Sequence, residues 1–268
     1  MSTKIVKTDF KAKKYFGQNF LTDQNISKSI AEVSKTNKDT VVIEVGPGMG
    51  SLTIPLLERS KKVIAFEIDK EVIPILKENT KSFSNLEINE IDILKADLSF
   101  LNETKEEVIS VSNLPYYITS PIISKFLNET TKIDRMYFMV QKEVAERLAA
   151  KVSTKDYNAF SILTQYEADI KVVLNVKRTC FHPQPNVDSA VVEIKRRDKD
   201  NKPKNEKFFK SLVLAAFKER RKTLINNLSS MKSKDELKVI LSELDIPVDV
   251  RSENLTIDDF IRLSDRMA

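Results

Sequence analysis

Thr40-Val-Val-Ile-Glu-Val-Gly-Pro-Gly-Met-Gly50 decides the fold: an apolar, β-branched run passes without a break into three glycines spaced two apart. A run of this kind, closed by glycine, predicts a buried strand over Thr40–Gly46. The chain of 268 residues has only four glycines, so three in one loop mark a place where a Cβ is not tolerated. At the carboxyl end of a first parallel strand, such a loop lets the backbone pass close to a ligand beside a helix N-terminus. A dinucleotide fingerprint would need its third glycine at position 51, which is Ser51, and this weakens a pyrophosphate reading. Glu44, just ahead of the glycines, points the same way, because a carboxylate repels pyrophosphate and suits a cation. A sulfonium carrying an α-amino group is such a ligand. S-adenosylmethionine is therefore the expected cofactor, with Glu44, Gly46 and Gly48 at its site.

Outward from this loop, further apolar runs recur at Lys62–Glu67, Leu86–Ile91, Val108–Asn113 and Met136–Gln141, separated by helix-compatible stretches. Strands alternating with helices predict a doubly wound α/β fold with a parallel sheet. Ile170–Val176 and Ala190–Lys195 are joined by a segment without helical periodicity and are expected as an edge hairpin, the last of seven strands being antiparallel. After Lys195 the chain turns polar, and helical spacing returns in Phe209, Leu212, Val213, Ala216 and Phe217. A catalytic domain over 1–200 and a small helical domain over 201–268 are expected. Asp235–Leu244 and Thr256–Ala268 read as short helices, the second opened by Thr256 with Asp259 three residues on.

Two acids and a tetrapeptide complete the expected site. Glu67 ends the second strand, 21 positions after Gly46, where its oxygens can accept from both ribose hydroxyls. Asp92 follows the third strand and can accept from an adenine exocyclic amine. The fourth strand runs into Asn113-Leu-Pro-Tyr116. An exocyclic adenine amine is a poor nucleophile because its lone pair is delocalised into the ring. The Asn113 side-chain oxygen and the Leu114 backbone oxygen, the latter held extended by Pro115, can stabilise the pyramidal amine during attack. Tyr116 offers a flat face to a base that has left its stack.

Five segments together resemble the KsgA/RsmA family of ribosomal RNA adenine dimethyltransferases, from about Lys14 to the C-terminus. They are Phe16-Gly-Gln-Asn-Phe-Leu-Thr-Asp23, the glycine loop, Asn113-Leu-Pro-Tyr-Tyr-Ile-Thr-Ser-Pro121, Phe181-His-Pro-Gln-Pro-Asn-Val-Asp-Ser189 and Ala216-Phe-Lys-Glu-Arg-Arg-Lys-Thr-Leu224. The resemblance implies a Rossmann-like class I methyltransferase fold, with a seven-stranded, mostly parallel sheet and a small C-terminal helical domain. It places Gln18, Asn19 and Leu21 beside the cofactor with Gly46, Glu67, Asp92 and Asn113, and sets Phe181 against the flipped base opposite Tyr116. It further implies dimethylation at N6 of two adjacent adenosines in a hairpin loop near the 3′ end of small-subunit ribosomal RNA. The related Erm type, which modifies large-subunit RNA, shares the glycine loop and an Asn-x-Pro-aromatic motif. The same fold would also suit a non-catalytic assembly factor, and a similar tetrapeptide serves DNA adenine methyltransferases.

Composition agrees with a polyanionic partner. The formal net charge is +5, yet residues 1–14 alone carry +4 and residues 195–222 carry +8, which leaves −7 on the remainder. Two basic segments on an acidic body suit a protein that holds RNA in one place. Lys218, Arg220, Arg221 and Lys222 are the candidate RNA contacts, expected on one helical stretch with 218, 221 and 222 sharing a face. The single cysteine, Cys180, excludes an internal disulfide and any multi-cysteine zinc site, so no metal is expected. The only histidine, His182, is not needed as a base, since the amine becomes acidic after methyl transfer and water can take the proton. With no apolar stretch near the roughly 18 residues of a membrane span, the expectation is a cytoplasmic monomer that works on ribosomal RNA, within a pre-assembled small subunit.

Overall fold

The computed structural model describes residues 13, 18–198 and 201–268. Phe16, Gly17 and most of the basic N-terminal segment lie outside these, as do residues 199–200, beside the expected domain boundary. The chain divides into two compact units: the described residues up to Ala145 with Asp169–Arg196, and Glu146–Ala168 with Arg197–Ala268.

In the first unit, β1 (Phe20–Leu21) and α1 (Gln24–Val33) precede an alternation of strands and helices: β2 (Thr40–Val45), α2 (Thr53–Arg59), β3 (Lys62–Glu67), α3 (Ile73–Asn79), β4 (Leu86–Glu90), β5 (Glu107–Asn113), α4 (Thr119–Glu129) and β6 (Ile133–Gln141). With β7 (Ala168–Val176) and β9 (Ser189–Arg196) the strands form one sheet in the order β4-β3-β2-β5-β6-β9-β7. β4, β3, β2, β5 and β6 run parallel, and β9 is antiparallel to β6. The chain winds from β2 out to β4, then returns to β5 on the other side of β2. The crevice between β2 and β5 is therefore the topological switch point, where ligands bind open α/β sheets. All six residues of β2 are buried, as expected of a central strand covered on both faces.

The last two strands differ from a simple edge hairpin. They are neighbours, but β9 takes the inner place and β7 the edge. Burial explains the choice: Ser189–Val192 are all buried, whereas Asp169, Lys171 and Asn175 on β7 are exposed, and a polar strand tolerates an edge better. The link between them carries a further short strand, β8 (Phe181–His182), which pairs antiparallel with β1 in the register Phe20↔His182 and Leu21↔Phe181. Arg196, at the end of β9, donates from Nε to the Ile133 carbonyl at 2.9 Å and from Nη2 to the carbonyls of Phe126 and Thr130. It thereby satisfies carbonyls at the end of α4 that the helix itself leaves unpaired.

α5 (Lys142–Leu148) follows β6 and runs across the sequence boundary of the two units; the second unit further contains α6 (Ala159–Glu167), α7 (Glu206–Ala216), α8 (Leu224–Leu228), α9 (Lys234–Glu243) and α10 (Ile257–Met267). Its core gathers Tyr166, Phe209, Leu212, Val213, Leu224 and Phe260, with the Tyr166 and Phe209 rings 4.8 Å apart. The Thr256–Asp259 capping box read from the sequence is present at α10, and equivalent boxes open α6 at Asn158 and α9 at Ser233. Residues 146–168 fall in this unit rather than with 1–200, because Ile162 and Tyr166 on α6 are buried among the C-terminal helices.

A second difference concerns the basic stretch. α7 stops at Ala216, so Lys218, Arg220, Arg221 and Lys222 stand in the turn before α8 and share no helix face. Buried side chains intercept the helix: Asn227 Nδ2 donates to the carbonyls of Ala216 at 2.7 Å and Glu219 at 3.1 Å, and Ser252 Oγ also donates to Ala216. Those bonds come from residues distant in sequence, and periodicity cannot reveal them.

Candidate active site

Because β2, β3, β4 and β5 are parallel, their carboxyl ends lie along one edge of the sheet. Glu44, Glu67 and Asn113 reach that edge, and Asp92 stands two residues beyond β4. The glycine loop turns over it. Gly46 has φ +65° and Gly48 φ +56°, a left-handed backbone that glycine alone adopts at little cost. A Cβ on Gly48 would also press to 3.1 Å of the Phe20 ring. At Gly46 the nearest side-chain atom is on the Pro115 ring, 3.8 Å from an ideal Cβ, so the loop and the Asn113–Tyr116 tetrapeptide adjoin.

Glu67 is held by the backbone. Its Oε2 accepts from Gly48 N at 3.2 Å, and its Oε1 accepts from Ile68 N and Asp69 N, both at 2.9 Å. Burial pushes its carboxyl above the ordinary range, with those three N–H groups working against the rise. Glu44 is buried more completely, and desolvation lifts it to about 8, opposed by the nearby Thr53 hydroxyl and reinforced by the Glu67 charge. Thr53 nevertheless closes no hydrogen bond of ordinary geometry, and Glu44 Oε2 has no partner among the described residues. An orphaned buried acceptor is what a cationic, amine-bearing ligand would satisfy. Asp92 accepts from Leu94 N at 2.9 Å through Oδ1 and is half-buried. The exposed ring of Tyr117 is also drawn into this field: burial raises its phenol, and the charges of Asp92 and Glu67 add to the rise.

The tetrapeptide is fixed at each of its four residues. Leu114 N donates to the Met139 carbonyl at 3.1 Å. The Pro115 carbonyl accepts from Ile118 N and Thr119 Oγ1, both at 3.2 Å. Asn113 donates from Nδ2 to the Asn19 carbonyl at 3.3 Å, which makes Oδ1 the oxygen the side chain presents elsewhere. The hydroxyls of Tyr116 and Ser189 are 2.9 Å apart, and burial raises the Tyr116 phenol against that bond.

Three of the expected contacts are engaged within the protein. Phe181 is only 4% exposed and sits in the apolar core with Leu21 and Val111, so it has no open face for a base; its pairing with Leu21 across β1 and β8 draws it inward. Leu21 is buried with it, and its carbonyl accepts from Ser51 Oγ at 2.6 Å. Gln18 turns to protein, donating from Nε2 to Asp69 Oδ2 at 2.7 Å. Cys180 is half-buried, with Sγ 3.8 Å from Asp23 Oδ2. Sequence reasoning gives no role to Asp69, two residues after Glu67, or to Ser189, the last residue of a quoted motif, and only their side-chain partners reveal them. Among the described residues no group of three His, Cys, Asp or Glu is arranged to hold a metal, and no helix is long and apolar enough to cross a membrane.

Residues 9–268 match the family described as ribosomal RNA adenine dimethylase. The chain belongs to that family. Curated relatives named ribosomal RNA small subunit methyltransferase A agree: those of Geobacillus sp. (strain WCH70) and Clostridium acetobutylicum are each 44% identical, covering 98% of this chain and 94% and 96% of theirs. Among solved structures, a dimethyladenosine transferase from Plasmodium falciparum is similar with a TM-score of 0.77 at 27% identity, over 91% of this chain and 95% of that one. The 23S rRNA methyltransferase ErmE gives 0.70 at 26% identity, over 93% and 99%. The dimethylase family carries the Rossmann-like class I fold and uses S-adenosylmethionine. The chain is accordingly an S-adenosylmethionine-dependent ribosomal RNA adenine dimethyltransferase. The residues present fit that cofactor: Glu44 offers a buried carboxyl whose Oε2 has no partner among the described residues, Glu67 a fixed one, and the loop brings backbone rather than side chains to the crevice.

Proposed function

We propose that this dimethylase transfers two methyl groups to N6 of each of two adjacent adenosines in a hairpin loop near the 3′ end of small-subunit ribosomal RNA. It acts as a cytoplasmic monomer on an assembling small subunit. The observation that carries the reading is the Asn113 amide, whose N–H is committed to Asn19. An amide so tethered offers its oxygen, and an oxygen is what an attacking amine needs. Glu44, Glu67 and Asp92 would hold the cofactor, which when bound supplies an electrophilic methyl on a sulfonium.

Asn113 Oδ1 and the Leu114 carbonyl would accept from the N6 hydrogens and favour the pyramidal amine, whose lone pair is then free to take the methyl that the sulfonium would supply, the neutral thioether being the leaving group. The resulting ammonium loses its proton to water. The Tyr116 ring, its hydroxyl tied to Ser189, supports the base outside its stack. Relatives named for the small subunit favour that RNA over the large-subunit substrate named for ErmE. The exposed cations of residues 218–222 suit the RNA backbone.

Transfer of labelled methyl to small-subunit particles lacking the modification tests the proposal, with naked small-subunit RNA, large-subunit RNA and a DNA hairpin as comparisons. Primer extension should stop at two adjacent adenosines. Labelling of large-subunit RNA instead would overturn the substrate assignment.

A further inference from the structure

We propose that Asp69 is a positioning residue for methyl transfer: through Gln18 it fixes the Gln18–Asn19 peptide at the cofactor edge, and Asn19 in turn fixes the Asn113 amide. The inference rests on the catalytic role given to Asn113 above. Asp69 is 2% exposed, yet its carboxylate is fully engaged. Oδ2 accepts from Gln18 Nε2 at 2.7 Å, while Oδ1 accepts from Lys13 Nζ at 2.8 Å and from Glu71 N at 3.1 Å. Gln18 is tied a second time, its Oε1 accepting from Lys13 N at 2.8 Å. On the other side, Asp69 N donates to Glu67 Oε1.

The next residue in the chain carries the link onward. Gln18 and Asn19 are joined by one rigid peptide unit, so whatever holds Gln18 also limits the Asn19 carbonyl. That carbonyl is the acceptor for Asn113 Nδ2 at 3.3 Å. The torsion about an amide terminus is broad and nearly two-fold. Without a fixed acceptor, the Asn113 amide is free to exchange its nitrogen and oxygen. An N–H turned toward the incoming amine would present a donor to a donor, and the transition-state acceptor would be lost. The short bonds to the Asp69 carboxylate are charge-assisted and suited to holding such a segment still. Asp69 thus connects Glu67 to Asn113 without touching adenine.

Asp69 also shapes the turn into α3, since Val72 N donates to its carbonyl at 3.1 Å. The experiment must therefore separate positioning from structure. Asp69→Ala removes the whole anchor, and Gln18→Leu removes the Gln18 bonds to Asp69 and to Lys13 N while leaving Lys13 Nζ on Asp69. With small-subunit particles lacking the modification and labelled cofactor, each variant should lower kcat about tenfold with little change in KM for the particle. In an Asn113→Ala background the same changes should lower kcat less than about twofold, because residues that act as a unit are not additive. The inference is overturned if Gln18→Leu and Asp69→Ala both stay within about threefold of wild type, or if they cost as much in the Asn113→Ala background as in the wild type. If Asp69→Ala fails to fold, Gln18→Leu decides alone. A wild-type protein that labels no small-subunit particle would instead overturn the functional reading, and with it this inference.

Discussion

The hydroxyls of Tyr116 and Ser189 lie 2.9 Å apart and join two motifs that are 73 positions apart in sequence. Ser189 is fully buried at the start of β9, so its Oγ is a fixed point, whereas the Tyr116 ring is only half-buried. The bond therefore sets the angle at which the ring meets a base. Ser189→Ala and Tyr116→Phe each remove it and should slow methyl transfer about fivefold, the scale of one neutral hydrogen bond of about 1 kcal/mol. The double variant should be no slower than either single one. Additive losses would mean that the two hydroxyls act separately.

Asn113→Ala should leave the fold and RNA affinity nearly intact and lower single-turnover methyl transfer by about a hundredfold or more, the scale for one transition-state acceptor. Unchanged turnover would remove Asn113 from the chemistry.

For Glu67 the structure adds a consequence beyond ribose binding. Three backbone N–H groups end on this carboxylate, so Glu67→Ala leaves them without their acceptor. The variant should bind cofactor more weakly by roughly 1.5–3 kcal/mol and also melt lower, whereas Glu67→Gln should retain part of the stability. Calorimetry that finds cofactor affinity unaltered in both variants would contradict the assignment.

Glu44 makes stability depend on pH in a defined direction. Folded, it keeps its proton up to about pH 8; unfolded, it releases it near the ordinary 4.5. Between those values the folded state holds the extra proton, so this group's contribution is complete below about pH 4.5 and is lost as pH rises through about 8. Glu44→Gln removes the titration. Without cofactor it should melt a few degrees above wild type near pH 8.5 and lose the advantage near pH 5. Melting curves of both proteins across that range that stay parallel would show that Glu44 does not titrate so high.

The turn cations predict a salt effect on RNA binding. Lys222 is paired with Glu219 at 2.7 Å, and Arg220 donates to the Lys155 carbonyl, while Lys218 and Arg221 are exposed without an ion pair among the described residues. Replacing Lys218 and Arg221 by Ala should flatten the slope of log K against log salt by about 0.7–0.9 for each phosphate no longer neutralised. Lys222→Ala should change it less. Cofactor affinity should not move, and filter-binding titrations at several salt concentrations with an unaltered slope would exclude the turn as part of the RNA-binding surface.

The sequence by itself determined the strands of the main sheet, the glycine loop and the places of Glu44, Glu67 and Asn113 at strand ends, because each follows from a local cause. An apolar β-branched run must be covered, a glycine marks a backbone that a side chain would obstruct, and an acid at a strand end carries its charge wherever the strand goes. The capping box at Thr256 was legible for the same reason, its partners being three residues apart. Only the tertiary structure decided which side chains meet across long separations. It turned Gln18 to Asp69, drew Phe181 and Leu21 into the core, ended α7 at Ala216 through Asn227 and Ser252, and brought Ser189 to Tyr116. A hydrogen bond or an apolar contact depends on positions in space, and residues dozens of positions apart acquire those only when the sheet and the helices have packed.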